Sequence, residues 1–150
     1  KGHDAEGFRF FTNYEGRKGQ ALTANPKAAA LFHWKSRERQ VRIEGPVDVL
    51  SAQESQAYYD TRARGSRIGA WASLQSQALP NRTALEDRIA AFEDEFDGQE
   101  TFAKPDYWGG YILRPLALEF WQAGTYRLHE RVRLTRSDLS DGWQQTPLYP

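Results

Sequence analysis

The chain contains neither cysteine nor methionine in its 150 residues. Without thiols it has no disulfide framework, no thiolate metal site and no thiol nucleophile. Charge of either sign is also lacking in excess. Twenty Lys and Arg balance twenty Asp and Glu, for a formal net charge of zero. Such a chain has no global field to gather nucleic acid or an acidic membrane, so an anion must be met by a local cluster. Apolar runs are short: none approaches the ~18–20 residues of a membrane span, and no signal-peptide pattern is present, which makes the cytoplasm the expected compartment. Three histidines, at 3, 33 and 129, show no metal-ligand spacing. No G-x-S-x-G, P-loop or G-x-G-x-x-G occurs, so serine-hydrolase, nucleoside-triphosphatase and Rossmann chemistries lack support. An enzyme made from what remains needs an organic cofactor for the hard chemistry.

What is abundant is aromatic. Phe, Tyr and Trp make up 13% of the chain, with five Trp, although the hydrophobic fraction is only 39%. That suits a flat ring ligand or a subunit interface, and equally a core of large side chains. At 150 residues a single domain is expected. Phe8–Asn13 predicts a short aromatic strand, and Gly16–Ala24 a short helix stopped near Asn25-Pro26. Ala28–Trp34 is a continuous apolar run, and Arg39–Leu50 alternates, with Pro46 marking a bulge or an edge. Ser51-Ala52-Gln53-Glu54 is a capping box that opens a helix to about Ala63, where Gly65 can end it. Thr83-Ala84-Leu85-Glu86 is a second capping box, followed by a core stripe of Leu85, Ile89, Phe92 and Phe96 and a stop at Asp97-Gly98. Strands are then expected over Tyr107–Arg114, Leu116–Gln122, Thr125–Thr135 and Trp143–Leu148. Runs of strands with a few helices between them imply an α+β fold, an antiparallel barrel or sheet with helices packed outside.

Three places carry candidate chemistry. Arg17-Lys18 at a helix start, just after Thr12-Asn13, makes a phosphate seat from backbone N–H groups, a hydroxyl and two cations; a solvated surface pair is the simpler account. Tyr58 and Arg62 share a helix face, and Ser66 lies just beyond, so a second phosphate group is one reading and a solvated helix end the other. In the segment Thr125–Thr135, period-two geometry puts Arg127, His129, Arg131 and Arg133 on one face, with Leu128 directed to the core. Preceded by Phe120-Trp121-Gln122, that face suits an anionic aromatic ligand or plain water.

The motifs, taken together and in order, resemble those of the pyridoxamine 5′-phosphate oxidase family. Phe10-Phe11-Thr12-Asn13, Arg17-Lys18 and Arg37-Glu38-Arg39-Gln40 resemble its FMN-binding split-barrel core. Ser66-Arg67-Ile68-Gly69-Ala70-Trp71-Ala72-Ser73-Leu74-Gln75-Ser76 is similar to its S-x-I-G-x-W-x-S-x-Q-S segment. Trp108-Gly109-Gly110, Glu119-Phe120-Trp121-Gln122 and Arg127-Leu128-His129-Glu130-Arg131 resemble its C-terminal signature, in which Glu130 replaces an aspartate and is expected to point away from the cationic face. The resemblance implies a mainly β, Greek-key split barrel that binds FMN at a homodimer interface. It implies FMN contacts from Phe11, Thr12, Arg17, Lys18 and Gln40, completed by Gln75, Ser76, Trp121 and Arg131, the two groups coming from different subunits. Lys1, Tyr58, Arg62 and Ser66 would meet the substrate phosphate, and Arg127 and His129 the substrate ring, where they are the implied catalytic pair. The implied reaction oxidises pyridoxine or pyridoxamine 5′-phosphate to pyridoxal 5′-phosphate, with O2 reduced to H2O2. The resemblance leads one to expect an earlier N-terminal segment, absent from this sequence. A phenazine-type oxidase of the same fold, or a non-catalytic flavin- or pyridoxal phosphate-binding protein, is the alternative.

Overall fold

A computed structural model describes residues 2–150. Eight strands form an antiparallel sheet, accompanied by four helices, so the fold is mixed α+β. In chain order these are β1 (Gly2–His3), β2 (Phe8–Asn13), α1 (Arg17–Ala24), β3 (Lys27–Trp34), β4 (Arg39–Val49), α2 (Ala52–Asp60), α3 (Arg64–Ala72), α4 (Arg82–Glu95), β5 (Trp108–Leu113), β6 (Ala117–Gln122), β7 (Glu130–Thr135) and β8 (Gln144–Leu148). The hydrogen-bonded order is β1-β2-β5-β4-β6-β7-β8, and β3 also pairs with β4. Among the described residues no helix is long and apolar enough to cross a membrane.

The chain divides into two compact units. The first comprises the residues up to Arg9, Pro26–Asp48 and Ile112–Pro150. Its organising strand is β4. One edge of β4 pairs with β3 from Trp34↔Arg39 to Lys27↔Pro46, and the other pairs with β6 from Arg39↔Gln122 to Glu44↔Ala117. Beyond Glu44 the second edge changes partner: Leu116 N–H donates to the Glu44 carbonyl at 2.8 Å and Arg114 N–H to the Pro46 carbonyl at 2.9 Å. A Cβ on Gly45 would sit 1.9 Å from the Arg114 carbonyl oxygen, so only glycine permits this approach. Pro46 thus marks a change of partner inside the sheet, where its missing N–H leaves no donor unpaired.

Strand alternation gives this unit two different faces. Phe32, Val41, Phe120, Val132 and Pro147 form one cross-strand row, and His33, Gln40, Trp121, Arg131 and Leu148 form the adjacent row on the opposite face. Ile43 is fully buried, but the apolar run of β3 is not a core strand: Leu31, Phe32 and Trp34 are 58%, 43% and 47% exposed.

The second unit comprises Phe10–Asn25 and Val49–Tyr111 and contains all four helices. Its core joins Tyr59, Ile68, Phe96, Phe102 and Trp108, with Phe11, Tyr58, Trp71 and Phe92 packed around them. Phe96 and Phe102 stack at 4.2 Å between ring centroids. The aromatic excess is therefore in part a core, as its bulk allows. Burial pushes the Tyr59 phenol up to about 12, and its hydroxyl donates to the Arg67 carbonyl at 2.9 Å.

Local signals form as read at α2, where Ser51 Oγ accepts from Glu54 N–H and the Glu54 carboxylate from Ser51 N–H. Two boundaries differ from the sequence expectation. Asn81, not Thr83, caps α4, accepting the Ala84 N–H at 2.8 Å, because the helix begins one turn-half earlier with the Arg82–Glu86 ion pair on its first exposed turn. Gly65 ends nothing. The chain breaks at Ala63, whose ψ of 142° is extended, and restarts as α3 with Gly65 in its first turn. Arg64 holds that restart by donating to the Phe96 and Gln99 carbonyls, and Ile68 and Ala72 are buried beneath it.

Gly65 has open space where a Cβ would go, so Gly65→Ala should raise stability by up to ~1 kcal/mol, the helix-propensity difference. Gly45→Ala should lower it by about 1–3 kcal/mol, since a main-chain oxygen must move. Urea denaturation of both variants checks this, and a destabilised Gly65→Ala would contradict the helical assignment.

Candidate active site

In the second unit, β2 delivers Thr12 and Asn13, both buried, to the start of α1. The loop after α3 comes back to the same place. Gln75 Nε2 donates to Thr12 Oγ1 at 3.2 Å, and Ser76 Oγ accepts the Arg17 N–H at 3.2 Å. Ser76 adopts a φ of +73°, a left-handed conformation that turns its hydroxyl onto α1. Gly16, before the helix, supplies no side-chain cap, so Ser76 does so from 59 residues away. Arg17 and Lys18 stand exposed on the first turn, and among the described residues neither enters an ion pair. A helix start carrying two uncompensated cations and flanked by hydroxyls has the donors and charge for a phosphate.

A second cationic place lies in the same unit. Arg62, just past α2, has its guanidinium 4.9 Å from the Trp108 ring centroid and 5.9 Å from that of Tyr59. Its Nη1 is buried and, among the described residues, has no hydrogen-bond partner. A buried guanidinium nitrogen without an acceptor is costly, and an anionic ligand is one way to satisfy it. Tyr58 lies on the preceding turn of α2, its ring stacked on Phe11 at 3.7 Å, and Ser66 lies exposed in the first turn of α3.

In the first unit, Gln40, Trp121 and Arg131 are direct neighbours across β4, β6 and β7. The next row on the same face is Arg42, Glu119 and Arg133. The charges interlock: Glu119 accepts from Arg42 at 3.0 Å and from Arg131 Nε and Nη2 at 3.0 and 2.8 Å, while Glu44 accepts from Arg42 and Arg133. Glu119 is buried; the Glu119–Gln122 motif contains it but gives it no role, and counting back one pleat from Trp121 on β6 is the signal that puts it on the arginine face.

The structure corrects the cationic strand. Only Glu130–Thr135 is strand; Thr125–Arg127 is a short 3-10 turn in which Tyr126 and Arg127 have φ of 58° and 65°. The chain doubles back there, with Leu128 N–H donating to the Thr125 carbonyl and the Leu128 carbonyl lying against Gly124, where a Cβ would meet it at 1.9 Å. Arg127 and His129 therefore do not share a strand face, and Leu128, 68% exposed, does not enter the core. His129 instead tilts against the Trp121 ring at 4.8 Å, and its Nδ1 accepts the Gly124 N–H at 3.2 Å. Glu130 pairs with Gln122 on the face opposite Arg131, as expected.

Within the chain, Gln75 and Ser76 meet Thr12 and Arg17, and Gln40 joins Trp121 and Arg131 on one face of the sheet. Lys1 lies outside the described residues.

Solved structures share this fold. A pyridoxamine 5′-phosphate oxidase-related, FMN-binding protein of Nostoc punctiforme matches with a TM-score of 0.70 over 95% of this chain and 72% of that one, at 15% identity. PhzG of Burkholderia lata, solved with tetrahydrophenazine-1-carboxylic acid, matches with a TM-score of 0.91 and 31% identity, covering 100% of this chain and 72% of that one. The fold is that of the split-barrel class. Residues 2–95 match the pyridoxamine 5′-phosphate oxidase family, and residues 108–150 match the pyridoxine 5′-phosphate oxidase C-terminal dimerisation region. The pyridoxine/pyridoxamine 5′-phosphate oxidases of Cupriavidus taiwanensis and Sinorhizobium fredii are 53% and 47% identical over the whole chain, which spans 69% and 72% of their lengths. The chain belongs to the pyridoxine/pyridoxamine 5′-phosphate oxidase family, a family of oxidoreductases.

The Ser76 hydroxyl should stabilise α1 as an N-cap would. Ser76→Ala is expected to cost about 0.5–2 kcal/mol, and Ser76→Gly less, since glycine relieves the positive φ while losing the same hydrogen bond. Thermal unfolding of the two variants makes the comparison; equal losses would mean that the backbone there is unstrained.

Proposed function

We propose that this chain oxidises pyridoxine 5′-phosphate and pyridoxamine 5′-phosphate to pyridoxal 5′-phosphate, with water hydrolysing the imine formed from the amine to give the aldehyde and ammonia. FMN, when bound, would supply the hydride acceptor, with O2 as the terminal oxidant and H2O2 as its product. The observation that carries the reading is the buried, unpartnered Nη1 of Arg62, which fits a substrate phosphate. Family membership supports it, through relatives named for these two substrates.

The donor set also fits the cofactor. Thr12, Arg17, Lys18, Gln75 and Ser76, with the strand end at Phe11, would hold the FMN phosphate at the α1 start. Gln40, Trp121 and Arg131 would face its ring system. We propose a homodimer in which one such set comes from each subunit. The match to a dimerisation region and the exposed Phe32, Trp34 and Phe120 support it.

Tyr58, Arg62, Ser66 and Lys1 would bind substrate phosphate, fixing the position of the ring beside it. His129, whose Nδ1 already accepts a hydrogen bond from Gly124 N–H, would turn its Nε2 to the substrate ring. Arg127 carries no ion pair among the described residues and lies exposed on its turn, free to place a full positive charge beside the ring. Its task is to steady charge that develops as hydride leaves C4′. The likeness to PhzG favours one other reading, oxidation of a phenazine-type ring, and a substrate panel separates the two.

Arg62→Ala should raise KM about 10- to 100-fold, the worth of a lost charge-assisted hydrogen bond, while the protein keeps its flavin absorbance. A variant that loses flavin at an unchanged KM would show the two phosphate sites exchanged. Arg127→Ala should lower kcat/KM by ~100-fold or more. Anaerobic stopped-flow reduction of bound flavin isolates that step, and a wild-type rate at saturation would leave Arg127 a binding residue only.

A further inference from the structure

We infer that Glu119 is a positioning residue for the cofactor, acting through Arg131; this rests on the proposed placement of Arg131 against FMN. Register makes Trp121 the direct partner of Arg131 and Arg133 the direct partner of Glu119. Yet the Arg131 guanidinium does not stay beside its own partner. It reaches diagonally, one pleat along β6, and places both Nε and Nη2 on a single oxygen, Glu119 Oε1, at 3.0 and 2.8 Å. Its third nitrogen, Nη1, donates to the Tyr149 carbonyl at 3.0 Å. The indole of Trp121 is left to His129.

A guanidinium has five N–H groups. Three are committed here, to two acceptors: the buried Glu119 carboxylate and the Tyr149 main-chain carbonyl just past β8. The other two, one on each terminal nitrogen, remain for a ligand's oxygen acceptors. Glu119 is in turn held from its other side, since Oε2 accepts from Arg42 at 3.0 Å. Arg42 also pairs with Glu44, and Glu44 with Arg133. A long side chain that is 29% exposed would otherwise sample many rotamers before meeting a ligand. Pre-setting it removes that ordering cost from binding.

Fluorescence quenching of FMN titrated into the apo form of the full chain tests this in a double-mutant cycle of Glu119→Ala and Arg131→Ala. Arg131→Ala should raise the FMN Kd about tenfold or more, the scale of a lost charge-assisted contact, and Glu119→Ala somewhat less. The double variant should bind no more weakly than Arg131→Ala alone, because Glu119 has nothing left to position. Thermal melting runs alongside, where Glu119→Ala should lower Tm in both backgrounds. If Glu119→Ala does not fold, Glu119→Gln enters the same cycle; it keeps one acceptor oxygen and should weaken FMN only when Arg131 is present. An unchanged Kd in Arg131→Ala overturns the flavin-site reading itself. A weakened Arg131→Ala beside an unchanged Glu119 variant overturns the positioning role, as does an equal loss in both backgrounds.

Discussion

The first unit depends on the close approach of two main chains at Gly45. Because no side chain stands between β4 and the Arg114 carbonyl, one edge of β4 can serve β6 and then the segment leading back from it. That exchange lets a long strand keep its pairing after its neighbour has turned away at Pro115. Along Arg39–Glu44 the register with β6 decides faces: a slip of one residue would move Gln40 to the Phe120 side and put Val41 among the arginines.

That face is polar without being loosely solvated. Three arginines and two glutamates alternate across β4, β6 and β7, so each cation has an anion beside or diagonal to it. Pairs this exposed contribute little to stability one by one. Their effect is geometric, since Glu119, the one buried member, ties two arginines to a single carboxylate. The opposite face has the reverse character, with large apolar groups open to water in the single chain. An exposed aromatic patch of that kind is normal for a surface that another protein covers, in keeping with the match to a dimerisation region.

The second unit shows two distinct ways of presenting positive charge. At α1 the cations are exposed and the backbone N–H groups are ordered by Ser76, a setting that suits a phosphate held from several sides. At Arg62 the guanidinium is half-buried over Trp108 and lacks an acceptor for Nη1, a setting that strengthens any contact an anion makes there.

Much of this was legible in the sequence wherever a short-range rule governs the outcome. The capping box of Ser51 and Glu54 closes a ring within four residues, and the helix follows it. The alternation of Arg39–Val49 and the stripe through Ile89, Phe92 and Phe96 report which side faces the core because strand and helix periods are fixed by backbone geometry. The ordered motifs were enough to indicate the family. The same reasoning failed at Thr125–Thr135, where a period-two pattern runs through a turn. Nothing in the alternation reveals that Gly124 lies against the Leu128 carbonyl, or that Tyr126 and Arg127 take left-handed conformations. It failed again at Gly65, whose helix is secured by carbonyls 32 and 35 residues further along from Arg64. Likewise only tertiary structure brings Gln75 and Ser76 to Thr12 and Arg17, across 63 and 59 residues, and draws Arg131 off its own partner onto Glu119. Periodicity and caps are properties of neighbouring residues, so the sequence alone determines them. Which distant acceptor a side chain finds depends on register and chain reversal, and those exist only once the strands have paired.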